Sequence, residues 1–488
     1  MSAASAPERR RRALALTITG AAVFMVTLDN LVVTNALPSI RADLGATISQ
    51  LGWFVNAYTL TFAALLLTGA SLGDRFGRRR IFAAGLAVFT AGSLWAALAT
   101  SSGMLIAARG TQGLGAALVM PLSLTLLSAA FPAERRGLAI GIWSGLSGLA
   151  VALGPVVGGA VVDGLSWQWI FFLNVPIGVV LAPLAYRFLD ESHGPDGALD
   201  VRGLVLASTG LFALVWGIVR GNDQGWASPE IVASLGLGVA LLGAFIAWER
   251  RAPAPMLPLH LFRSRAFSAT NGVSLIMSFG IFGSIFLLAQ FLQTVQGYSA
   301  FDAGVRTLPW TLMPMFIAPL AGAYSDRIGS RPLMATGLAL QAIALGWLAS
   351  VTSPTVAYSS LILPFVLAGI GMALVFAPVA NMILSSVRPS EEGKASGANS
   401  AIREVGGALG VAVLASVFTS QGSTLTGEAF VDGLVPAVWV GAAALAAGAL
   451  LALAVPGRRP RRADAESIEQ PPAEAPARPA LVPEISAS

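Results

Sequence analysis

The chain has 488 residues, of which 55% are hydrophobic and only 11% are charged. Soluble domains carry about 25% charged residues, and disordered chains have low hydrophobicity, so this composition excludes both classes for most of the length. A membrane-spanning helix needs about 20 apolar residues, and fourteen such helices would use about 280. The composition therefore indicates an integral membrane protein built from helices.

The counts of reactive residue types exclude several kinds of chemistry. The chain has no cysteine, two histidines (His193 and His260, both in connections) and one lysine, Lys394. Thiolate metal sites are therefore excluded, and proton chemistry inside the membrane falls to carboxylates. A phosphate-binding loop around Lys394 is excluded because Arg388 replaces its first glycine and Ala395 its hydroxyl residue. We predict no ATPase or other enzyme, no metal and no cofactor.

Apolar runs bounded by glycine, proline and charged residues predict the spans in chain order. They lie near 13–37, 50–71, 81–99, 104–130, 137–160, 169–189, 201–220, 229–248, 267–291, 301–324, 333–351, 357–384, 397–419 and 433–455. The arginines at 9–12 precede a long run that contains Asp29, which favours an uncleaved first helix over a signal peptide. We predict six-helix bundles at 13–189 and 266–455 and two additional helices at 200–248. Residues 456–488, rich in Pro, Ala, Arg and Glu, are predicted to be a disordered cytoplasmic tail.

The basic residues predict the orientation. Of the 30 Lys and Arg residues, 25 lie at the termini or in loops on one side, three lie on the other side, and Arg109 and Arg403 lie inside spans. The positive-inside rule then places both termini in the cytoplasm, with the protein in the cytoplasmic membrane. Because loop anchoring also explains the net charge of +5, we predict no nucleic-acid partner.

An internal repeat relates two halves of the chain. Residues 74–79, Asp-Arg-Phe-Gly-Arg-Arg, recur 252 positions later as Asp-Arg-Ile-Gly-Ser-Arg, and the same offset relates Gly154 to Gly406 and Gly158 to Gly410. Glycine permits a tight turn, and an aspartate can tie helix ends together. Positive-inside anchoring would explain the arginines but not the aspartate and glycine. We predict that the repeated loops form a cytoplasmic gate, with the residues Asp74, Arg75, Gly77, Arg78, Asp326, Arg327, Gly329 and Arg331.

Four stretches have the form of recognisable motifs: the loop at 72–80, residues 109–117 in the fourth span, residues 28–38 in the first span and the glycines of the fifth span. Together they resemble motifs of the major facilitator superfamily. The loop has Ala70 where the first glycine of the family is usual. The first-span stretch is similar to that of the fourteen-span drug:proton antiporters, from which it departs at Leu31, Thr34 and Asn35. Residues 167–178 and the two central spans also resemble this subfamily, and the resemblance covers about residues 13–455.

The resemblance implies a fold and a function. The fold is the all-α major facilitator fold, here an integral membrane protein of fourteen transmembrane helices. The implied function is export of hydrophobic or cationic drugs, or of antibiotic-like metabolites, in exchange for protons by alternating access. The partners would be a small amphipathic substrate, protons and the lipid bilayer, with the protein working as a monomer. Two alternatives stay open: export of one specific endogenous metabolite, and a transport-inactive membrane sensor or scaffold.

The fifth span has a face of small residues. Ala150, Gly154 and Gly158 are four residues apart, so another helix can approach this face closely, and Pro155 can bend the helix. The resemblance implies that this face is a seam between the two halves, which keeps the closed state tight and favours antiport. The implied seam residues are Gly141, Gly154, Pro155, Gly158 and Gly159.

Charged residues inside spans indicate function, because each costs at least about 2.5–3.5 kcal/mol at the centre of a membrane helix. At a rise of 1.5 Å per residue, Asp29 lies about 12 Å and Arg109 about 9 Å from the outer ends of their spans, so we predict a proton-coupling pair. The alternatives are that Arg109 snorkels to the outer surface and that Asp29 is a structural, hydrogen-bonded carboxylate. The neighbours Arg403 and Glu404 point about 100° apart, which disfavours a pair of their own. Arg403 is assigned to the gate; for Glu404 a structural tie and proton carriage both stay open.

The ninth span carries an aromatic row. Phe279, Phe282 and Phe286 recur at helical spacing, with Gln290 toward the outer end. Such a face suits bulky apolar or cationic guests, so these four residues are predicted to line the substrate cavity. A lipid-facing aromatic stripe is the alternative.

Overall fold

The computed structural model describes residues 6–46, 48–194, 200–253, 255–421 and 427–456, and the predicted tail lies outside them except for residue 456. The described chain forms sixteen α-helices and two short 3₁₀ turns. The helices are α1 (Ala6–Leu44), α2 (Ile48–Phe76), α3 (Arg78–Ala97), α4 (Ser102–Ala130), α5 (Ala133–Gly164), α6 (Trp169–Phe172), α7 (Asn174–Phe188), α8 (Val201–Gln224), α9 (Pro229–Glu249), α10 (Arg265–Thr294), α11 (Ala300–Thr311), α12 (Met313–Ile328), α13 (Ser330–Val351), α14 (Tyr358–Ser385), α15 (Glu392–Gln421) and α16 (Gly427–Ala452).

Thirteen segments in the described chain are long and apolar enough to cross a membrane. The predicted tenth span is absent from this set because it is interrupted: α11 ends at Thr311 and α12 begins at Met313. Pro314, next to the break, has no N–H to donate to the carbonyl four residues earlier. The predicted span near 301–324 therefore consists of two consecutive helices instead of one. With α11 and α12 counted together as one broken crossing, the described chain has the fourteen spans expected.

The sixth predicted span is broken in the same way. A short α6 ends at Phe172, and α7 begins two residues later at Asn174. Pro176 removes the hydrogen bond that would continue α6 across this point. The break lies beside Asn174, whose side chain donates to the buried carboxylate of Asp29.

The helices pack as two groups with matching internal contacts. In the first group α5 packs on α1, and in the second α15 packs on α10, so the helices related by the sequence repeat have related neighbours. The repeat also holds in the backbone. Gly77 and Gly329, 252 positions apart, both have positive φ, at 102° and 88°, and each directly precedes a helix. A residue with a β-carbon would be strained in either turn.

Two helix interfaces join the groups. On one side α5 packs along α11, α12 and α14, and on the other α15 packs along α2 and α4. The linking helices α8 and α9 pack on each other, and α8 also contacts α2 and α15. The ring of Trp216 in α8 is tilted by 45° against that of Trp53 in α2, with centroids 4.9 Å apart, while Asn222 donates to the carbonyl of Ala412 in α15 at 3.0 Å. Helix α8 therefore touches both halves.

Candidate functional site

The charged residues Asp29 and Arg109 meet inside the first helix group. Nη1 of Arg109 in α4 donates to Oδ2 of Asp29 in α1 at 2.6 Å. Their relative exposures are 0% and 2%, so neither side chain reaches solvent or the surface. The interpretation that Arg109 snorkels outward is therefore wrong in this structure. The pair lies in the interior of the bundle, where a buried charge needs a partner.

Neutral polar side chains complete the binding of Asp29. Its Oδ1 accepts from Nδ2 of Asn174 at 2.6 Å and from Nε2 of Gln112 at 3.0 Å. The side-chain Oε1 of Gln112 in turn accepts from Arg109 Nη1 at 2.8 Å, and the hydroxyl of Ser93 accepts from Nε2 of Gln112 at 2.8 Å. These five residues, Asp29, Ser93, Arg109, Gln112 and Asn174, form what we call the polar cluster.

The guanidinium of Arg109 is enclosed by aromatic rings and backbone. Its Nε donates to the carbonyl of Phe54 at 2.9 Å, and its central carbon lies 4.5 Å from the ring centroid of Tyr58 and 5.9 Å from that of Phe171. Cation–π contacts of this kind strengthen when water is excluded. Nη2 has no hydrogen-bond partner within the described part of the chain. The cation is thus held from several sides but retains one free donor group.

Sequence reasoning found the two charges but missed their neutral partners. Gln112 and Asn174 both stand in stretches that resemble family motifs, yet each is an uncharged residue in an apolar run, with no cost of burial large enough to mark it. Ser93 gives no sequence signal. The signal for Asp29 and Arg109 was their similar depth below the outer ends of their spans. For Asn174 the signal would have been the nearby Pro176, which marks a break in the helix where a side chain can turn inward.

The second charged site is in α15. The guanidinium carbon of Arg403 lies 5.8 Å from the ring centroid of Phe376 in α14. Arg403 also lines a small enclosed cavity of about 20 Å³ between α4, α5, α10, α14 and α15, together with Trp143, Ser144, Ser274, Phe376 and Ser400. A space of this size can hold one water molecule. The hydroxyls of Ser144 and Ser274 have no partner in the described residues, so the cavity is polar and unsatisfied.

Glu404 faces another direction. No hydrogen bond or ion pair joins it to Arg403 in the described ranges, in line with their angular separation on the helix. Arg403 lines the small cavity. Its assignment to the cytoplasmic gate stays a prediction. Glu404 stays a candidate proton carrier.

The repeated loop of the first half forms a buried ion pair. Nε of Arg78 donates to Oδ1 of Asp74 at 2.8 Å, and the exposed fraction of each side chain is 4%. Gly77 provides the turn between them. Arg75, in the same loop, is exposed, so this structure does not bring it into the buried contact. The predicted gate residues thus divide into an inner pair and an outer, solvated arginine.

This pair lies against the second half of the chain. Nη2 of Arg78 donates to the carbonyl of Ser390 at 3.3 Å, and the carboxylate of Asp74 faces Gly393, where an added methyl group would lie 2.5 Å from Oδ1. Nearby, Arg136 at the start of α5 pairs with Glu392 at 3.2 Å. The beginning of α15 is therefore held against the C-terminal end of α2 and the N-terminal end of α5. This end of the molecule is closed in the structure.

Glu191, which was not predicted from the sequence, contacts the predicted gate loop of the first half. It follows α7 and accepts from the backbone N–H of Arg79 at 2.9 Å, while its other oxygen lies 3.6 Å from the guanidinium nitrogens of Arg79 and Arg80. The segment around it folds back over the loop, and the N–H of Gly194 donates to the carbonyl of Asp74 at 2.9 Å. The carboxylate thus caps the N-terminus of α3, where negative charge is stabilised.

The repeated loop of the second half is more open. Arg327 and Arg331 are exposed, and Gly329 forms the same turn as Gly77. The side chain of Asp326 lies outside the described part. Among the side chains that the structure describes, the buried ion pair between Asp74 and Arg78 belongs to the first-half loop.

The small-residue face of α5 contacts more than one helix. A methyl group at Gly141 would lie 2.5 Å from the carbonyl oxygen of Ala318 in α12, and one at Gly159 would lie 3.3 Å from Phe301 in α11. A methyl group at Gly154 would instead meet Leu31 of α1 at 2.7 Å. Gly141 and Gly159 thus face the second half, but the prediction for Gly154 is wrong: it faces its own bundle. Gly158 is buried in α5, and the side chain of Pro155 is not described.

The aromatic row of α10 is partly exposed. Phe282 and Phe286 are 38% and 43% exposed, whereas Phe279 and Gln290 are half-buried. Phe282 lies near Gly407 of α15, where an added methyl group would be 3.2 Å from its ring. This exposure is equally expected of a cavity face and a lipid face, so the substrate role of the row stays a prediction.

Comparison with known proteins places the chain in a family. The sequence model described as Major Facilitator Superfamily matches residues 19–316 and 273–485. This chain belongs to the major facilitator superfamily. As a member of it, the chain is a multi-pass membrane protein of a family that carries small molecules across membranes.

Curated relatives in this family cover most of the chain. It is 38% identical to the cephamycin export protein CmcT of Amycolatopsis lactamdurans, over 84% of this chain and 85% of the relative. It is 35% identical to the tetracenomycin C resistance and export protein of Streptomyces glaucescens, over 84% and 76%. The identity to the multidrug resistance protein Stp of Mycobacterium tuberculosis is also 35%, over the same shares.

A solved structure shares the fold of this superfamily member. The proton:xylose symporter XylE superposes with a TM-score of 0.67 over 92% of this chain and 97% of that protein, at 15% sequence identity. At that identity the likeness shows the fold alone. The all-α fold expected from the sequence is confirmed.

Proposed function

We propose that this protein exports drugs or antibiotic-like metabolites across the cytoplasmic membrane in exchange for protons. The observation that carries the proposal is the polar cluster, a buried carboxylate and guanidinium held inside a major facilitator bundle. Relatives named as cephamycin, tetracenomycin C and multidrug export or resistance proteins support the substrate class. The proposal includes a multi-pass monomer with both termini in the cytoplasm, as the basic loops predict.

The polar cluster supports a proton-driven switch. When Asp29 is ionised, it holds Arg109 through the 2.6 Å bond. A proton on Asp29 removes the negative charge, so Arg109 loses its ionic partner. Arg109 can then form a new hydrogen bond or ion pair through Nη2. Two arrangements of the same helices can then differ in proton occupancy, which is the requirement for linking proton binding to a conformational equilibrium. A charge that moves through 100 mV supplies about 2.3 kcal/mol to such a cycle.

The two helix interfaces support alternating access. The structure is closed where Asp74, Arg78 and Arg136 meet residues 390–393 at the beginning of α15. These contacts are polar and lie at the ends of α2, α5 and α15. The α5–α12 interface is built on close backbone approach at Gly141, which allows small sliding motions but resists a gap. We propose that the halves part where α15 meets α2 and α4 and pivot along the interface between α5 and α12.

The test is efflux from cells that express the protein. Cells loaded with ethidium, and separately with a panel of antibiotics, are followed after a protonophore collapses the proton gradient while cellular ATP is held constant. We expect efflux to stop, and we expect Asp29→Asn to show the same loss at matched expression. Efflux that persists without a proton gradient would overturn the coupling. Resistance to no compound in the panel, with export of a single cell metabolite, would instead establish the narrower exporter.

A further inference from the structure

A large crevice lies between the linking helices and the two bundles. Its volume is about 890 Å³, within the range of about 300–1,000 Å³ typical of ligand sites. Helices α2, α8, α9, α10 and α15 form its walls, and the connection from α9 to α10 forms one end. The polar cluster and the gate pair are not part of its lining. The crevice is therefore a space separate from the machinery proposed for transport.

The lining is apolar along the helices and basic at one end. Leu211, Leu242, Phe245 and Ile246 contribute to the apolar walls, whereas Arg250 and Arg263 stand at the end formed by the α9–α10 connection. This end belongs to the side of the protein that carries most of the arginines, where the headgroups of one leaflet would lie. A lining that is apolar along its length and cationic at one end complements a molecule with an apolar body and an anionic end.

The acidic groups at this end are already occupied. Glu249 accepts from the backbone N–H groups of Met256 and Leu257, both at 3.2 Å, and Glu391 lies 3.1 Å from Nε2 of His260. Arg250 and Arg263 are exposed, and neither side chain has a hydrogen bond or ion pair with other described residues. The guanidinium groups of Arg250 and Arg263 are thus free to bind an anion. The carboxylates of Glu249 and Glu391 already contact other groups of the protein.

We propose that this crevice binds one anionic diacyl phospholipid, with its phosphate at Arg250 and Arg263 and its acyl chains along α8, α9 and α15. A basic pocket between membrane helices at the headgroup level is the type of site that selects acidic lipids. The lipid would contact Leu67 of α2 and Ala401 of α15 as well as the linking helices, so it joins both halves in the closed arrangement. The site does not depend on whether the protein exports drugs.

The experiment is native mass spectrometry of the full-length protein, titrated in detergent with phosphatidylglycerol or phosphatidylcholine. We expect one phosphatidylglycerol molecule to bind at least tenfold more tightly than phosphatidylcholine. The double variant Arg250→Gln/Arg263→Gln is expected to lose this preference. Arg251→Gln/Arg265→Gln is the matched control, because it removes two neighbouring exposed arginines that do not line the crevice.

A second variant separates the crevice from the surface charge. Ile246, which is 43% exposed and lines the crevice, can be changed to Trp with little risk to folding; Ile246→Trp is expected to reduce retention of both lipids. Phosphatidylglycerol should also raise the melting temperature of the wild type but not of Arg250→Gln/Arg263→Gln. Equal losses in the two double variants, or no lipid preference in the wild type, would overturn the proposal. Displacement of the lipid by tetraphenylphosphonium would assign the crevice to a cationic substrate and overturn it too.

Discussion

Asp29 and Arg109 are joined at 2.6 Å in a position where neither side chain contacts solvent. Each charge lowers the free-energy cost of burying the other, since a lone buried charge costs far more than a paired one. Amide groups of Gln112 and Asn174 bind the same carboxylate, so the negative charge is shared among donors from two helices, α4 and α7. The pair is therefore both a structural tie and a site whose strength changes when a proton binds.

The first prediction concerns coupling between these two residues. Asp29→Asn or Arg109→Gln alone leaves the partner charge buried and unpaired, which should lower the free energy of unfolding by about 3–5 kcal/mol. The double variant should lose markedly less than the sum, because no unpaired charge remains. Thermal unfolding of all four proteins in detergent forms a double-mutant cycle. Strictly additive losses would mean that the two residues act separately.

The second prediction concerns Asn174. Its amide donates to Asp29 at 2.6 Å, so Asn174→Leu should lose a hydrogen bond to a charged group, worth about 1.5–3 kcal/mol. Efflux is expected to fall without being abolished, because the ion pair itself remains. Gln168→Leu is the matched control: its amide also donates to a carboxylate, that of Asp43 at 3.3 Å, but at an exposed site. Equal effects of the two variants would argue against a role for Asn174 in the cluster.

Sequence reasoning reached the pair because charge and depth are both visible in a sequence. Each charge interrupts an apolar run, and counting residues to the outer end gave similar depths. Gln112 and Asn174 carry no such signal, since a neutral amide is only moderately costly in a membrane helix. Their role depends on which helix faces become neighbours, and this is set by packing across the bundle.

Packing also decides which helix meets the small-residue face of α5 and where a span is broken. The four-residue spacing of Gly154 and Gly158 predicts a close-packing face, but spacing does not tell which helix packs there, and Gly154 meets Leu31 of its own half. The break at Leu312 depends on Pro314 at the start of α12. Proline is tolerated inside other helices here, such as α4 at Pro121, so its presence alone did not locate the break.

The third prediction concerns the α5–α12 interface. Gly141→Ala would place a methyl group 2.5 Å from the carbonyl oxygen of Ala318 and 2.8 Å from the Cα of Pro319, and backbone atoms cannot move aside as a side chain can. We expect slower efflux at matched expression, because the helices must separate. Gly103→Ala is the control, since an added methyl group there meets nothing within 4 Å. Normal efflux by Gly141→Ala would remove this contact from the transport cycle.

The last prediction concerns the gate at Asp74. Asp74→Asn keeps the size of the side chain but weakens its 2.8 Å bond to Arg78 by removing the negative charge. This charge-assisted bond holds Arg78 toward the carbonyl of Ser390 in the second half, so the closed state should become less favoured when the bond weakens. The variant should fold and insert, yet efflux should slow because the closed side no longer seals.

Because the chain has no cysteine, a single introduced thiol reports on this closure without background. Ser396 is 2% exposed, and its hydroxyl donates to the carbonyl of Pro121 across the α15–α4 contact. In a Ser396→Cys background, Asp74→Asn should increase the rate of labelling by a membrane-impermeant maleimide applied to inside-out vesicles. Arg75→Gln in the same background is the matched control, since this loop arginine is exposed and outside the buried pair. Unchanged labelling with Asp74→Asn, or the same increase with Arg75→Gln, would show that the buried pair does not hold the gate.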